Sequence, residues 1–109
     1  MIVEDDASLR LVCRVNLELE GFRVREAASV EEGRAAVVDE RPAVVFLDLH
    51  LGAGPSDAFL DELISAGVRV VLVSGTVDVR EYEGRASEVI PKPFDPMELV
   101  AAARRHAVG

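Results

Sequence analysis

The stretch Val44-Val45-Phe46-Leu47-Asp48-Leu49 constrains this chain more than any other. Four apolar residues, three of them β-branched or aromatic, run into a single carboxylate. A continuous apolar run, rather than an alternating one, is the pattern of a strand covered on both faces, as in a parallel sheet. When such a strand ends in Asp, its carboxyl end opens into a cleft, and open parallel sheets bind their ligands there. Asp48 is therefore the first candidate for chemistry.

The rest of the chain alternates strand with helix around that run. Met1-Ile2-Val3 is a brief first strand ending in Glu4-Asp5-Asp6, oddly short, as if residues were missing upstream. From Ala7 to Glu20, Leu9, Val12, Cys13 and Leu17 recur at helical spacing, and Gly21 sits where a left-handed residue stops a helix. Cys13 on that face reads as a core residue. Phe22 to Glu26 alternates like an edge strand. Ser29 and Glu32 form a capping box for a helix that runs to about Glu40, ahead of Pro42. Gly52 to Pro55 is a loop, and Asp57 to Ala66 a short helix with Phe59, Leu60, Leu63 and Ile64 on its inner side. Val68 to Val73 is a second buried strand running into Ser74-Gly75-Thr76. A short, loosely packed helix is expected over Val77 to Ser87, then a last strand at Glu88-Val89-Ile90. Asp95 caps the final helix, with Pro96 at its first position, Glu98 two residues further, and Leu99, Val100 and Ala103 facing inward.

Five β-α units joined by right-handed crossovers predict one five-stranded parallel sheet with helices on both faces, an α/β three-layer sandwich. The 109 residues make one domain, spanning 1–109, and half are hydrophobic, which excludes disorder. No apolar run is long enough to span a bilayer, nothing at the start resembles a signal peptide, and one cysteine forms no internal disulfide, so a cytoplasmic location is expected. The net charge of −8 argues against a nucleic-acid-binding surface and for a cation or a basic patch as partner.

In this plan all the strand carboxyl ends open on one edge, which gathers Asp5, Asp6, Asp48, Ser74, Thr76 and Lys92. Three carboxylates on one edge repel unless a cation sits among them, and oxygen-only ligands suit a hard ion such as Mg²⁺. Of the 12 basic residues Lys92 is the only lysine, so its place among the acids is informative. A carboxylate, a hydroxyl, a lysine and a divalent ion around one point describe phosphoryl transfer to the carboxylate, with an aspartyl phosphate as product. Taken singly each residue has a plainer role: Asp5 and Asp6 as helix caps, with Asp6 able to serve both purposes, Ser74 and Thr76 as turn residues.

The run Glu4-Asp5-Asp6, then Leu47-Asp48, Ser74-Gly75 and Lys92-Pro93-Phe94, in this order and spacing, resembles the receiver domain of two-component response regulators over essentially the whole chain. The resemblance implies a flavodoxin-like (βα)5 fold with Asp48 as phosphoacceptor. It implies that Asp6 ligates Mg²⁺ directly, that Asp5 acts through water, and that the backbone carbonyl of His50 completes the metal sphere. Ser74 corresponds to the hydroxyl that moves toward the phosphoryl group, and Lys92 to the lysine that pairs with it, with a cis Lys92-Pro93 bond. The implied donor is a phosphohistidine on a sensor histidine kinase or phosphotransfer protein, and two copies could pair as a homodimer. Such a domain catalyses its own phosphorylation and hydrolysis, as a switch rather than a turnover enzyme. No effector sequence follows Gly109, so the chain reads either as a stand-alone receiver or as the receiver part of a longer regulator.

The pattern departs from the family at Val89, where an aromatic switch residue is usual, and in a Ser74-to-Lys92 spacing shorter by about one helical turn. These departures motivate an alternative: a degenerate receiver that acts as a phosphorylation-independent interaction module. A Mg²⁺ phosphohydrolase is a third class, but it usually needs a second acid near the nucleophile, where this chain has His50.

Overall fold

In the computed structural model, residues 1–51, 54–75, 82 and 84–107 are described, with positions 50, 51, 54 and 55 as backbone alone. The elements run β1 (Ile2–Val3), α1 (Ala7–Leu19), β2 (Glu26–Ala27), α2 (Val30–Asp39), β3 (Val44–Asp48), β4 (His50–Leu51), β5 (Gly54–Pro55), α3 (Asp57–Ser65), β6 (Arg69–Ser74), β7 (Glu88–Pro91) and α4 (Pro96–His106). Five strands form one sheet in the order β2-β1-β3-β6-β7, and every pairing in it is parallel. Chain order reverses direction beside β1 and β3, which puts the switch point of a doubly wound sheet between Glu4 and Asp48.

The alternation along β3 and β6 divides the interior into two layers. Val45, Leu47, Val70 and Leu72 pack with Phe59, Leu60 and Leu63 of α3 and with Val30 and Val37 of α2. Val44, Phe46, Val71 and Val73 pack with Cys13 and Leu17 of α1 and Leu99, Val100 and Ala103 of α4 on the opposite face. All five residues of β3 are buried, as expected of a strand covered on both sides.

Local chemistry sets the element ends. Asp6 caps α1, Ser29 caps α2 and Asp95 caps α4 through their side-chain oxygens. Glu32 completes the box at α2 by accepting from the Ala28 N–H at 3.1 Å. Gly21, at φ +92°, closes α1: its N–H reaches Glu18 O at 3.0 Å and that of Phe22 reaches Leu17 O at 3.1 Å, the paired bonds of a Schellman end. Gly67 and Val68 repeat the motif at the end of α3, on Ile64 O and Leu63 O. Gly33 is an interior helical glycine with a packing reason: a Cβ there would meet Phe59 Cε2 at 3.0 Å.

Several expectations are corrected. The second strand is not Phe22–Glu26 but Glu26–Ala27; Phe22 belongs to the helix-closing turn, and pairing with β1 begins at Arg25 O. Val12 is exposed, as are Leu11, Val15 and Leu19. Leu9, Cys13 and Leu17 form an i, i+4, i+8 row, and Val12 points about 100° away from Cys13 on the same helix. Ile64 lies at the margin of α3's buried face, 38% exposed. Of the loop expected at Gly52–Pro55, Gly54–Pro55 is instead a strand, His50 pairing with Pro55 and Leu51 with Gly54, and Gly52 and Ala53 lie outside the described residues. Most of the helix expected over Val77–Ser87, and Thr76, lie outside the described residues; residues 84–87 form a turn and bridge rather than a helix.

Candidate phosphoacceptor site

Glu4 leaves the end of β1, Asp48 ends β3, Ser74 ends β6 and Lys92 follows β7. The parallel register puts Asp48 beside Val73, one residue short of Ser74, and Ser74 beside Pro91. The N–H of Lys92 donates to Ser74 O at 2.8 Å, so the lysine starts from a fixed point on the sheet edge. The Lys92-Pro93 peptide is cis.

Lys92 Nζ donates to Glu4 Oε1 at 2.8 Å and to Asp48 Oδ2 at 3.2 Å. Glu4 and Asp48 are buried, at 5% and 8% exposure, so these charge-assisted bonds work in a low-dielectric surround. Burial pushes the Glu4 carboxyl up to about 7. The Lys92 ammonium and the Asp6 N–H oppose that rise, and neighbouring Asp48 adds to it. Burial works against the Lys92 ammonium, yet Glu4 and Asp48 outweigh it, and its pKa lies above the ordinary lysine value. The main chain of Glu4 is fixed as well, its N–H on Ala27 O and its carbonyl accepting from Arg10 Nη1 at 2.7 Å.

Oxygens of Glu4, Asp5 and Asp48 lie within 4.8 Å of one another. The expected set was Asp5, Asp6 and Asp48; the cluster found is Glu4, Asp5 and Asp48. Asp6 Oδ1 accepts from the Ser8 and Leu9 N–H groups at 3.0 and 3.1 Å, so that carboxylate is committed to the start of α1, and Glu4 takes its place beside Asp5. The signal for this was in the chain: an Asp directly before the first helical residue is an N-cap, which leaves Glu4 and Asp5 as the pair that can face Asp48. Asp5 is exposed and Glu4 buried, so the pair spans the floor and the mouth of the site. Ser74 is buried at the adjoining strand end. His50 lies two residues past Asp48 as the first residue of β4.

An all-oxygen set of three acids, one of them reluctant to ionise next to the others, fits a hard divalent cation: a +2 charge would relieve the repulsion between them.

A family model described as the response regulator receiver domain matches residues 1–104. The phosphate regulon transcriptional regulatory protein PhoB of Pseudomonas aeruginosa is 34% identical over 110 residues, covering 93% of this chain and 48% of that protein. The DNA-binding response regulator MtrA of Mycobacterium tuberculosis is 35% identical over 109 residues, covering 95% of this chain and 48% of that protein. The chain thus spans about half the length of the curated relatives it matches. Among solved structures, the receiver domain of NtrX from Brucella abortus superposes with a TM-score of 0.87 at 29% identity, over 97% of this chain and 95% of that one. A CheY-like receiver domain protein from Methanospirillum hungatei, at 24% identity, shares the fold with a TM-score of 0.86. An acidic pair, a strand-end aspartate and a lysine on one sheet edge, inside a sequence matched from its first residue to position 104, have one common explanation: this chain belongs to the receiver-domain family of two-component response regulators.

Proposed function

We propose that this domain accepts a phosphoryl group on Asp48 and thereby switches its affinity for partners. The observation that carries the reading is the Lys92 ammonium bridging Glu4 and Asp48 on the edge where three acidic oxygens converge. An Asp48 carboxylate oxygen attacks phosphorus and forms the new O–P bond. The donor's P–N or P–O bond breaks, and its electron pair leaves on the imidazole or carboxylate. Lys92 turns from Asp48 Oδ2 to the incoming phosphoryl oxygens, and Ser74 at the next strand end donates its hydroxyl to another. Glu4, Asp5, Asp48 and the backbone carbonyl of His50 would hold Mg²⁺. When bound, that ion offsets the charge gathered by the acids and the phosphoryl oxygens. Hydrolysis reverses the state, with water as the second nucleophile, so the chain acts as a self-resetting switch.

The donor we assign is a phosphohistidine on a sensor kinase or phosphotransfer protein, in the cytoplasm. Among the described residues no helix is long and apolar enough to cross a membrane. Intact-mass measurement after treatment with acetyl phosphate and Mg²⁺ tests the reading. One phosphoryl increment on the wild type and none on Asp48→Asn is expected; no increment on the wild type, or an equal one on the variant, refutes it. One observation favours a second reading, a phosphorylation-independent interaction module: Val89, where the family carries an aromatic ring, is half-buried and packs onto the α2/α3 side of the core. Partner affinity that does not change with Asp48 loading would establish that alternative.

A further inference from the structure

Tyr82 is the only tyrosine of the chain, which has no tryptophan, and it is 5% exposed. Its ring lies in the same core layer as Phe59, Leu60 and Leu63. Its hydroxyl donates to Asp57 Oδ1 at 3.0 Å. The guanidinium of Arg85 sits 5.2 Å from the ring centroid and donates to Asp61 Oδ1 at 2.7 Å. The turn carrying Tyr82 and Arg85 is therefore fastened to α3 at Asp57 and Asp61, one helical turn apart.

The start of α3 is in turn fastened to the phosphoacceptor. Ser56 occupies the N-cap position of α3 yet makes no capping bond from its side chain. Its buried hydroxyl instead donates to the backbone carbonyl of Asp48 at 3.0 Å, and its N–H donates to Leu49 O at 2.8 Å. A serine at this position usually satisfies the helix's own N–H groups; here it ties the helix to the end of β3. Tyr82 follows β6 in the chain, and that strand ends beside Asp48. The Tyr82–Asp57 bond thus ties a residue C-terminal to β6 to the helix that Ser56 anchors on β3.

We propose that Tyr82 is the positioning residue through which the state of Asp48 reaches the outer face of α3, its hydroxyl bound to Asp57 in the resting domain and released when Asp48 is loaded. The inference rests on Asp48 being the phosphoacceptor. A loaded Asp48 draws Lys92 and Ser74 toward new oxygens and shifts the end of β6, which Tyr82 follows in the chain, while Ser56 holds α3 to the fixed end of β3. A hydrogen bond at 3.0 Å is lost within roughly half an ångström of displacement, so a small shift at the sheet edge becomes a two-state change on α3. With a valine at position 89, this tie supplies an aromatic group that position 89 does not.

Coupling of this kind is reciprocal: if loading breaks the bond, removing the bond eases loading by the same factor. The probe is beryllofluoride with Mg²⁺, a phosphoryl mimic, added to the full chain. A phenol donating to a carboxylate emits weakly, because proton transfer competes with emission, so tyrosine fluorescence reports Tyr82 alone. Expected are a rise in emission on loading of the wild type, a bright signal unresponsive to loading in Asp57→Ala, and beryllofluoride affinity at least about fivefold tighter in Tyr82→Phe and Asp57→Ala. If the wild type takes up acetyl phosphate by mass but its emission is flat, or if both variants bind the probe as the wild type does, the inference is overturned and the phosphoacceptor reading stands. If the wild type takes up no phosphoryl group, both fall.

Discussion

Replacing Glu4 with Gln should stabilise the metal-free protein at neutral pH, although it removes a partner of Lys92. The folded protein holds a proton on Glu4 up to about pH 7, against 4.5 for an ordinary carboxyl. Between those values the folded state binds more protons than the unfolded chain, so this group's contribution to stability falls as pH rises. The penalty is absent near pH 4.5 and fully present above 7. Tenfold in proton affinity corresponds to about 1.4 kcal/mol, so the rise from 4.5 to about 7, with the help of Lys92 already included, makes the ionised side chain cost on the order of 3 kcal/mol. A glutamine cannot ionise, and its carbonyl oxygen can still accept from Lys92. Urea unfolding in the presence of a chelator should place Glu4→Gln close to the wild type at pH 5. At pH 8 the variant's midpoint should lie higher by roughly 1–3 M, taking a denaturant slope of about 1–3 kcal/mol per M. The same variant should bind Mg²⁺ at least about tenfold more weakly, since one of the three clustered acids is gone. A variant less stable than the wild type at pH 8, or a difference independent of pH, would refute the claim that burial governs Glu4.

Two further substitutions probe the supports of the site. Ser56→Ala leaves the Asp48 carbonyl without its buried donor and should cost about 1–3 kcal/mol by denaturant titration; a change below about 0.5 kcal/mol would show that water replaces the hydroxyl. Leu72→Ala empties a fully buried position on β6 and should cost about 2–5 kcal/mol in the same measurement, with a neutral result meaning that the layer against α3 is loosely filled.

What could be read from the chain follows the range of the forces involved. β3, the caps at Ser29 and Asp95 and the closing glycine at position 21 depend on neighbours a few residues away, and their chemistry is local. The expected fold needed only those signals and the handedness of crossovers. The second strand was misplaced because Phe22 and Val24 alternate with arginines as strand residues do, while the backbone bonds that decide the matter come from Leu17 and from β1. Glu4 was overlooked because adjacent acids look alike until one is assigned to the helix start. Asp48 and Lys92 were legible because a strand end and an only lysine stand out. Their approach to each other, across 44 positions, depends on which strands lie side by side. Ser56 had no such signal: a serine ahead of a helix is ordinarily a cap, and its actual bond runs to another element.

The central strand has consequences for motion. β3 is hydrogen-bonded along both sides, to β1 and β6, and its side chains enter both packing layers. A slip by one residue would exchange the contents of those layers, so the strand has a single permitted position. Amide hydrogens of Val45 to Leu47 should be among the last to exchange with solvent. The carboxylate at its end is therefore a stationary post, and any movement in a working cycle must occur in what is attached to it.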